Sequence, residues 1–157
     1  MHAKIELAKT YSQFIESKLT ANPQWEDWLT AHSQHPIDRA FVQRVFEEQL
    51  GSDYKALLEP EFLSKMRVAR QHIMLALGVR DLAMQAPLEE VMIAVTTMAE
   101  VALEAVAEYY AQQLYATYGK PYYDNDQEMK LWVIGMGKLG GHELNVSSDI
   151  DLIFVYD

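Results

Sequence analysis

The chain has no cysteine, which excludes disulfides and thiolate-ligated metal sites and is compatible with a reducing, cytoplasmic setting. Basic residues are scarce. Thirteen Lys and Arg against 23 Asp and Glu give a formal charge of −10, so the average surface repels a phosphate backbone and nucleic acid is not expected as a partner. No apolar run is long enough to span a bilayer, and Lys4 and Glu6 interrupt the apolar segment that a secretory signal would need. The expectation is a cytoplasmic protein without membrane contact. There is no internal repeat or low-complexity segment. Only seven glycines occur, and four of them fall between positions 135 and 141.

What is present is a globular composition, 50% hydrophobic and 23% charged, with ample apolar material for a core. A length of 157 residues suits one domain or a small domain followed by the beginning of another, and the pattern favours the second. Ile5, Ala8, Phe14, Ile15 and Leu19 recur at helical spacing and predict one helix from Ile5 to about Leu19. Asn22 and Pro23 predict an N-cap and first turn for a short helix anchored by Trp25 and Trp28. Phe41, Val42, Val45, Phe46 and Leu50 form one stripe of a helix closed by Gly51. A single short turn is expected between Ser52 and Leu58.

Pro60 opens a further helix, expected to end at Gly78, with Phe62, Leu63, Met66, Ala69, Ile73, Met74 and Leu77 on its buried face. Lys65, Arg67 and Arg70 on this helix read first as a solvated face paired with neighbouring carboxylates, and second as an anion or partner contact. The longest element runs from Pro87 to Tyr118, roughly 48 Å at 1.5 Å per residue. Leu88, Val91, Val95, Met98, Ala102, Ala105 and Tyr109 make its core stripe, and Glu89 and Glu90 suit the dipole of its first turn. The tyrosines at 109, 110, 115, 118, 122 and 123 read as packing against the C-terminal domain rather than as a base-stacking surface. The polar run Asp124 to Glu128 is the expected boundary between residues 1–125, a helical domain, and residues 126–157.

The last stretch reads as strand, glycine-rich loop, polar turn, strand. Gly135-Met136-Gly137-Lys138-Leu139-Gly140 satisfies G-x-G-x-x-G, but a dinucleotide fold needs a crossover helix before its next parallel strand, and only Gly141 to Ser148 intervenes. The Walker loop fails because Leu139 follows Lys138 and Trp132 stands where its first glycine should be. A nucleotidyltransferase site fits better. There, backbone N–H groups of a small-residue loop hold nucleotide phosphates, and Asp-x-Asp on a nearby strand holds divalent metal against them. Asp149 and Asp151 are expected to open the second strand and to leave one face together with Ile153 and Val155, opposite Ile150, Leu152, Phe154 and Tyr156. That strand is expected to be buried on one face. The plainer alternative is a pair of aspartates that starts a strand and caps a turn.

Gly-Met-Gly-Lys-Leu-Gly-Gly-x-Glu-Leu-Asn-x-Ser-Ser-Asp-Ile-Asp-Leu-Ile-Phe, from Gly135 to Phe154, resembles the signature of the bacterial glutamine synthetase adenylyltransferase/adenylyl-removing enzymes. Arg67, Arg70 and the run Arg80, Asp81, Leu82 are similar to that family's helical region. The resemblance implies an α+β fold: a mostly α-helical N-terminal bundle followed by the first strands of a nucleotidyltransferase (polymerase-β-like) domain, truncated. It implies two tandem nucleotidyltransferase domains in the whole protein, one attaching AMP to a tyrosine of glutamine synthetase and one removing it by phosphorolysis to give ADP, with this copy most like the removing half.

It further implies Asp149 and Asp151 as catalytic metal ligands for Mg²⁺. Gly137, Lys138, Gly140, Gly141, Ser147 and Ser148 become the phosphate-side loop for an adenine nucleotide, ATP or ADP, and His142 an exposed, non-catalytic position. Glutamine synthetase is the implied protein substrate and a small signalling protein a possible regulator. Ending at Asp157, the chain lacks a third carboxylate and the rest of the sheet, so the isolated polypeptide is expected to be a fragment with negligible catalysis. Two other readings remain, a helical interaction module carrying a remnant motif and a dinucleotide-binding protein.

Overall fold

The computed structural model describes residues 1–156 and consists of a helical bundle followed by a small hairpin. The predicted first helix is two helices, α1 (His2–Tyr11) and α2 (Gln13–Ala21). Ser12 separates them in an extended conformation, and its hydroxyl accepts the Ile15 N–H at 3.3 Å. A local cap thereby overrides a continuous apolar stripe, because the serine oxygen offers the backbone a competing partner. Asn22 likewise closes α2 instead of opening the next helix. Its side-chain amide and backbone N–H both donate to the Lys18 carbonyl, and α3 (Trp25–His32) starts three residues later.

The helix α4 (Arg39–Leu50) is capped by Asp38, whose carboxylate accepts the Phe41 N–H at 2.8 Å, and it stops at Gly51 with φ +78°. All five residues of its predicted stripe are buried. A 3-10 turn at Tyr54–Ala56 precedes α5 (Glu59–Met84), which runs past the predicted stop at Gly78. Gly78 is there for packing. A Cβ on it would lie 3.0 Å from Ile15 Cδ1, so the missing side chain lets α2 pack closely on α5 without displacing the end of Ile15. The helix ends at Gln85, left-handed at φ +56°, while the Ala86 N–H returns to the Arg80 carbonyl.

The helix α6 (Leu88–Tyr118) is the longest element and ends at Gly119 as expected. Val91, Val95, Met98, Ala105 and Tyr109 are buried, whereas Leu88, at the first position with no partner above it, is exposed. Tyr109 stacks on Phe62 at 4.0 Å and donates its hydroxyl to the Leu57 carbonyl. The core is continuous from Ile5 in α1 to Leu139 and Leu144 in the glycine-rich segment. Of the basic cluster, Lys65 donates to the Gln49 carbonyl. Arg67 and Arg70 are exposed and form no ion pair among the described residues.

Two buried polar features organise the bundle. Arg80 and Glu90 are 7% and 9% exposed; the guanidinium grips the carboxylate through Nε and Nη2 while its Nη1 donates to the Ser33 carbonyl. The same carboxylate accepts the Ile37 N–H at 3.2 Å. The Arg80 contact, aided by Ile37 and opposed by burial, holds the Glu90 carboxyl below the usual carboxylate range. Glu90, which the sequence marks only as a dipole-favouring residue, is therefore an internal cross-link. The tryptophans anchor α3 as expected: Trp28 lies between His32 at 4.3 Å and His72 at 4.4 Å, both stacked, with Trp25 edge-on to His72. His72 is 5% exposed and neither ring nitrogen has a hydrogen-bond partner.

Burial, reinforced by His32, pushes the His72 pKa down. The unfolded chain therefore takes up this proton first, near pH 6.5, and stability present above that pH is lost as pH falls toward the folded-state value. Urea midpoints should decline from pH 7.5 to pH 5, and His72→Phe, which keeps the stacking surface, should flatten the decline; an unchanged slope would refute the assignment. Arg80→Ala, leaving Glu90 buried without its partner, should cost about 3–5 kcal/mol in the same assay.

Candidate active site

The hairpin consists of β1 (Leu131–Gly135) and β2 (Leu152–Tyr156), paired antiparallel from Leu131↔Tyr156 to Gly135↔Leu152. This direction is incompatible with the dinucleotide fold, which requires a parallel crossover. The strand was expected to begin with the aspartates, but β2 begins at Leu152, and Asp149 and Asp151 lie just ahead of it in a segment without regular structure. The reason lies across the hairpin. At Gly137 the continuation of β1 turns into a short helical turn, α7 (Gly137–Gly140), so residues 149–150 have no strand opposite them. One bond still continues the ladder, from the Met136 N–H to the Asp151 carbonyl at 2.9 Å. The acidic segment thus runs beside the residue that opens the glycine loop.

Nor is the strand buried on one face. Residues directly opposed across the strands share a face. Leu131, Val133, Phe154 and Tyr156 look toward α6 across an apolar cavity of about 370 Å³ that Tyr110 and Tyr115 also line. Leu131, Phe154 and Tyr156 on this face are exposed, and so are Trp132, Ile134, Ile153 and Val155 on the other, since no layer packs closely on either side of the two-stranded sheet.

The glycines have distinct structural reasons. Gly137 takes φ +53°, a conformation costly for other residues. A Cβ on Gly140 would stand 2.5 Å from the Gly135 carbonyl oxygen, and one on Gly135 would stand 2.7 Å from Leu139 Cγ. Gly141 has φ −83° and a nearest contact of 3.5 Å, so its lack of a side chain is not forced. Lys138 is exposed and without an ion pair among the described residues. Asn145 organises the polar turn: its Oδ1 accepts from the Ser147 N–H and from the hydroxyls of Ser147 and Ser148, and its own N–H donates to Ser148 Oγ. Both serine hydroxyls therefore hold the turn together.

Asp149 and Asp151 are exposed and engage no cationic side chain among the described residues. Two hard carboxylates at an open position fit Mg²⁺, which retains several waters when protein-bound. Among the described residues the one group of three clustered ligating side chains is elsewhere, His2, Glu6 and Glu26, and Lys9 already bridges its two carboxylates. A second cavity of about 430 Å³ lies between the loop and α6, lined by Glu100, Glu104, Glu108, Gly135, Gly140 and His142. Arg39 pairs with Glu100 and Glu104. Lys55, then the Tyr54 hydroxyl, hold the Glu108 carboxyl low, while burial and Glu108 push the Tyr54 hydroxyl up. A wall of carboxylates is a poor seat for phosphates.

Sequence reasoning missed the residues that dock the loop. Leu139 and Leu144 are buried, the Leu144 N–H donates to Thr96 Oγ1 at 3.4 Å, and His142 Nδ1 lies 3.6 Å from Glu100 Oε1. The available signal was two leucines isolated among glycines and polar residues.

The family model described as glutamate-ammonia ligase adenylyltransferase matches residues 3–157. The chain belongs to this family. Three relatives carry the name bifunctional glutamine synthetase adenylyltransferase/adenylyl-removing enzyme. That of Ralstonia nicotianae is 39% identical over 158 residues, covering 99% of this chain and 16% of the relative. That of Chromobacterium violaceum is 39% identical over 156 residues, 98% of this chain and 17% of the relative. That of Shewanella oneidensis is 33% identical over 145 residues, 92% and 15%. The chain thus spans about one sixth of the length of the relatives it matches, and the α+β architecture is the one the family resemblance led us to expect. Among the described residues no helix is long and apolar enough to cross a membrane.

In this family member Gly140→Ala should force the loop off the Gly135 carbonyl and destabilise it by about 1–3 kcal/mol, while Gly141→Ala should be nearly neutral. Amide hydrogen exchange over residues 136–144 measures both, and equal effects would refute the separation of roles.

Proposed function

We propose that residues 1–125 form a helical domain and residues 126–157 open a nucleotidyltransferase domain that, in the whole protein, acts on adenylylated glutamine synthetase. The observation that carries the reading is the Met136–Asp151 bond, which keeps the acidic segment beside the glycine loop. In this reading the N–H groups at the open start of α7, those of Gly137 and Lys138, face the phosphates of an adenine nucleotide, while those of Gly140 and Gly141 donate to the Met136 and Gly137 carbonyls and serve to close the turn. The turn built by Asn145, Ser147 and Ser148 sets where the acidic segment starts. Asp149 and Asp151 hold Mg²⁺, which neutralises charge on the transferring group when bound. Lys138, exposed and unpaired among the described residues, adds positive charge on the phosphate side.

The family's two activities use the same site design, and the form Leu144-Asn145-x-Ser147-Ser148-Asp149-Ile150-Asp151 supports the removing copy. There inorganic phosphate attacks the AMP phosphorus, the tyrosine oxygen leaves, and ADP is released. Glutamine synthetase is the protein substrate, a small signalling protein the regulator, and the cytoplasm the compartment in this reading. The chain of 157 residues alone supplies two carboxylates and two strands, and its own catalysis is negligible.

In a full-length relative carrying this segment, Asp149→Asn and Asp151→Asn should each lower removal of AMP by about two orders of magnitude or more, the several kcal/mol expected of a metal ligand. Attachment of AMP should be preserved. Removal that survives both substitutions would sink the proposal and leave a helical interaction module with a remnant motif.

A further inference from the structure

We propose that Thr96 and Glu100, one turn apart on α6, are positioning residues that hold the glycine loop in shape, so that the helical bundle is the template of the site. The proposal rests on the nucleotidyl-transfer reading above. Residues 136–151 form a long connection between two short strands, with only the four-residue α7 as regular structure. Connections of this length are normally held from outside. Here both side-chain polar contacts between the loop and the bundle come from α6, while Val146 faces α2 and α5. Thr96 is 1% exposed, a polar side chain in the core, and its hydroxyl accepts the Leu144 N–H. Without that acceptor the N–H of a buried residue would have no partner, since Leu144 is itself 1% exposed.

One turn on, Glu100 is shared. Its Oε2 takes Arg39 from α4, and its Oε1 lies 3.6 Å from His142 Nδ1. His142 is a non-glycine residue at φ +56°, a conformation that persists only where its surroundings impose it. The contact to Glu100 and the burial of Leu139 and Leu144 on either side are those surroundings. Arg39 in turn connects Glu100 to α4, so a change in the bundle can reach the loop through one carboxylate. Both loop contacts are long, and the effect of losing either is correspondingly moderate.

Thr96→Val removes the acceptor at constant volume and Thr96→Ser restores it. In the 157-residue chain, Thr96→Val should accelerate amide exchange at Leu144 and its loop neighbours about fivefold, the value of one hydrogen bond, leaving α1 to α5 unchanged. Glu100→Ala, which removes a 3.6 Å approach to a largely exposed ring and no hydrogen bond, should produce a smaller acceleration around His142, and Thr96→Ser should match the wild type. In a full-length relative carrying this segment, Thr96→Val should raise the KM for inorganic phosphate in AMP removal about fivefold with kcat retained, because misfolded enzyme would lower kcat alone. Loop exchange that ignores Thr96→Val, acceleration spread over the whole bundle, or a fall in kcat without a change in KM would each overturn the proposal. A wild-type full-length protein without removal activity would instead overturn the reading on which it rests.

Discussion

The structure hangs on a charge that could not be buried alone. The Glu90 carboxylate sits in the core at the start of α6, where isolation from water would cost several kcal/mol, and it persists there because Arg80 and the Ile37 N–H saturate it. Arg80 stands in the last turns of α5 and also reaches the Ser33 carbonyl. Four segments are thereby joined at one point: the end of α3, the approach to α4, the end of α5 and the start of α6. Because hydrogen bonds to ions are directional, the cross-link sets how α6 leaves α5, which apolar contacts alone would leave free to slide. Everything farther along α6 inherits that direction.

The loop is held in the first half of α6, at Thr96 and Glu100, and the hairpin faces its second half. Apolar burial attaches the loop through Leu139 and Leu144, and the contacts of Thr96 and Glu100 add polar partners beside them. The acidic composition is used locally. Glu100, Glu104 and Glu108 are partly neutralised by Arg39 and Lys55 from the bundle, so an excess of carboxylates becomes a set of ties between elements. Asp149 and Asp151 differ from these in being exposed and unpaired among the described residues. Two neighbouring carboxylates left without an internal partner are the feature a cation would use.

Glycine is scarce, and where the chain spends it the geometry shows why. Gly78 admits α2 to α5, and Gly135 and Gly140 let the loop fold back on the end of β1. The glycine-rich motif therefore encodes a fold before it encodes a ligand. Its match to a phosphate-binding pattern follows from the same requirement, that backbone approach closely where a side chain would intrude.

Much was legible in the residues themselves. The helical stripe of α4, the stops at Gly51 and Gly119, the two terminal strands and the juxtaposition of glycine loop and acidic pair all follow from local rules of periodicity, capping and turn chemistry. Tertiary contact decided the rest. The sequence could not tell that Gly78 would lie inside a helix or that Glu90 would turn inward, because each outcome depends on an element distant along the chain; the Ser12 cap is local, but it competes with an apolar stripe that also supports one continuous helix. It also placed Asp149 and Asp151 on a strand, which the absence of an opposite strand prevents. The docking of the loop on Thr96 and Glu100 joins residues about 45 positions apart, and no local pattern could have announced it: hydrogen bonds across a packed interface exist only once both surfaces are in place.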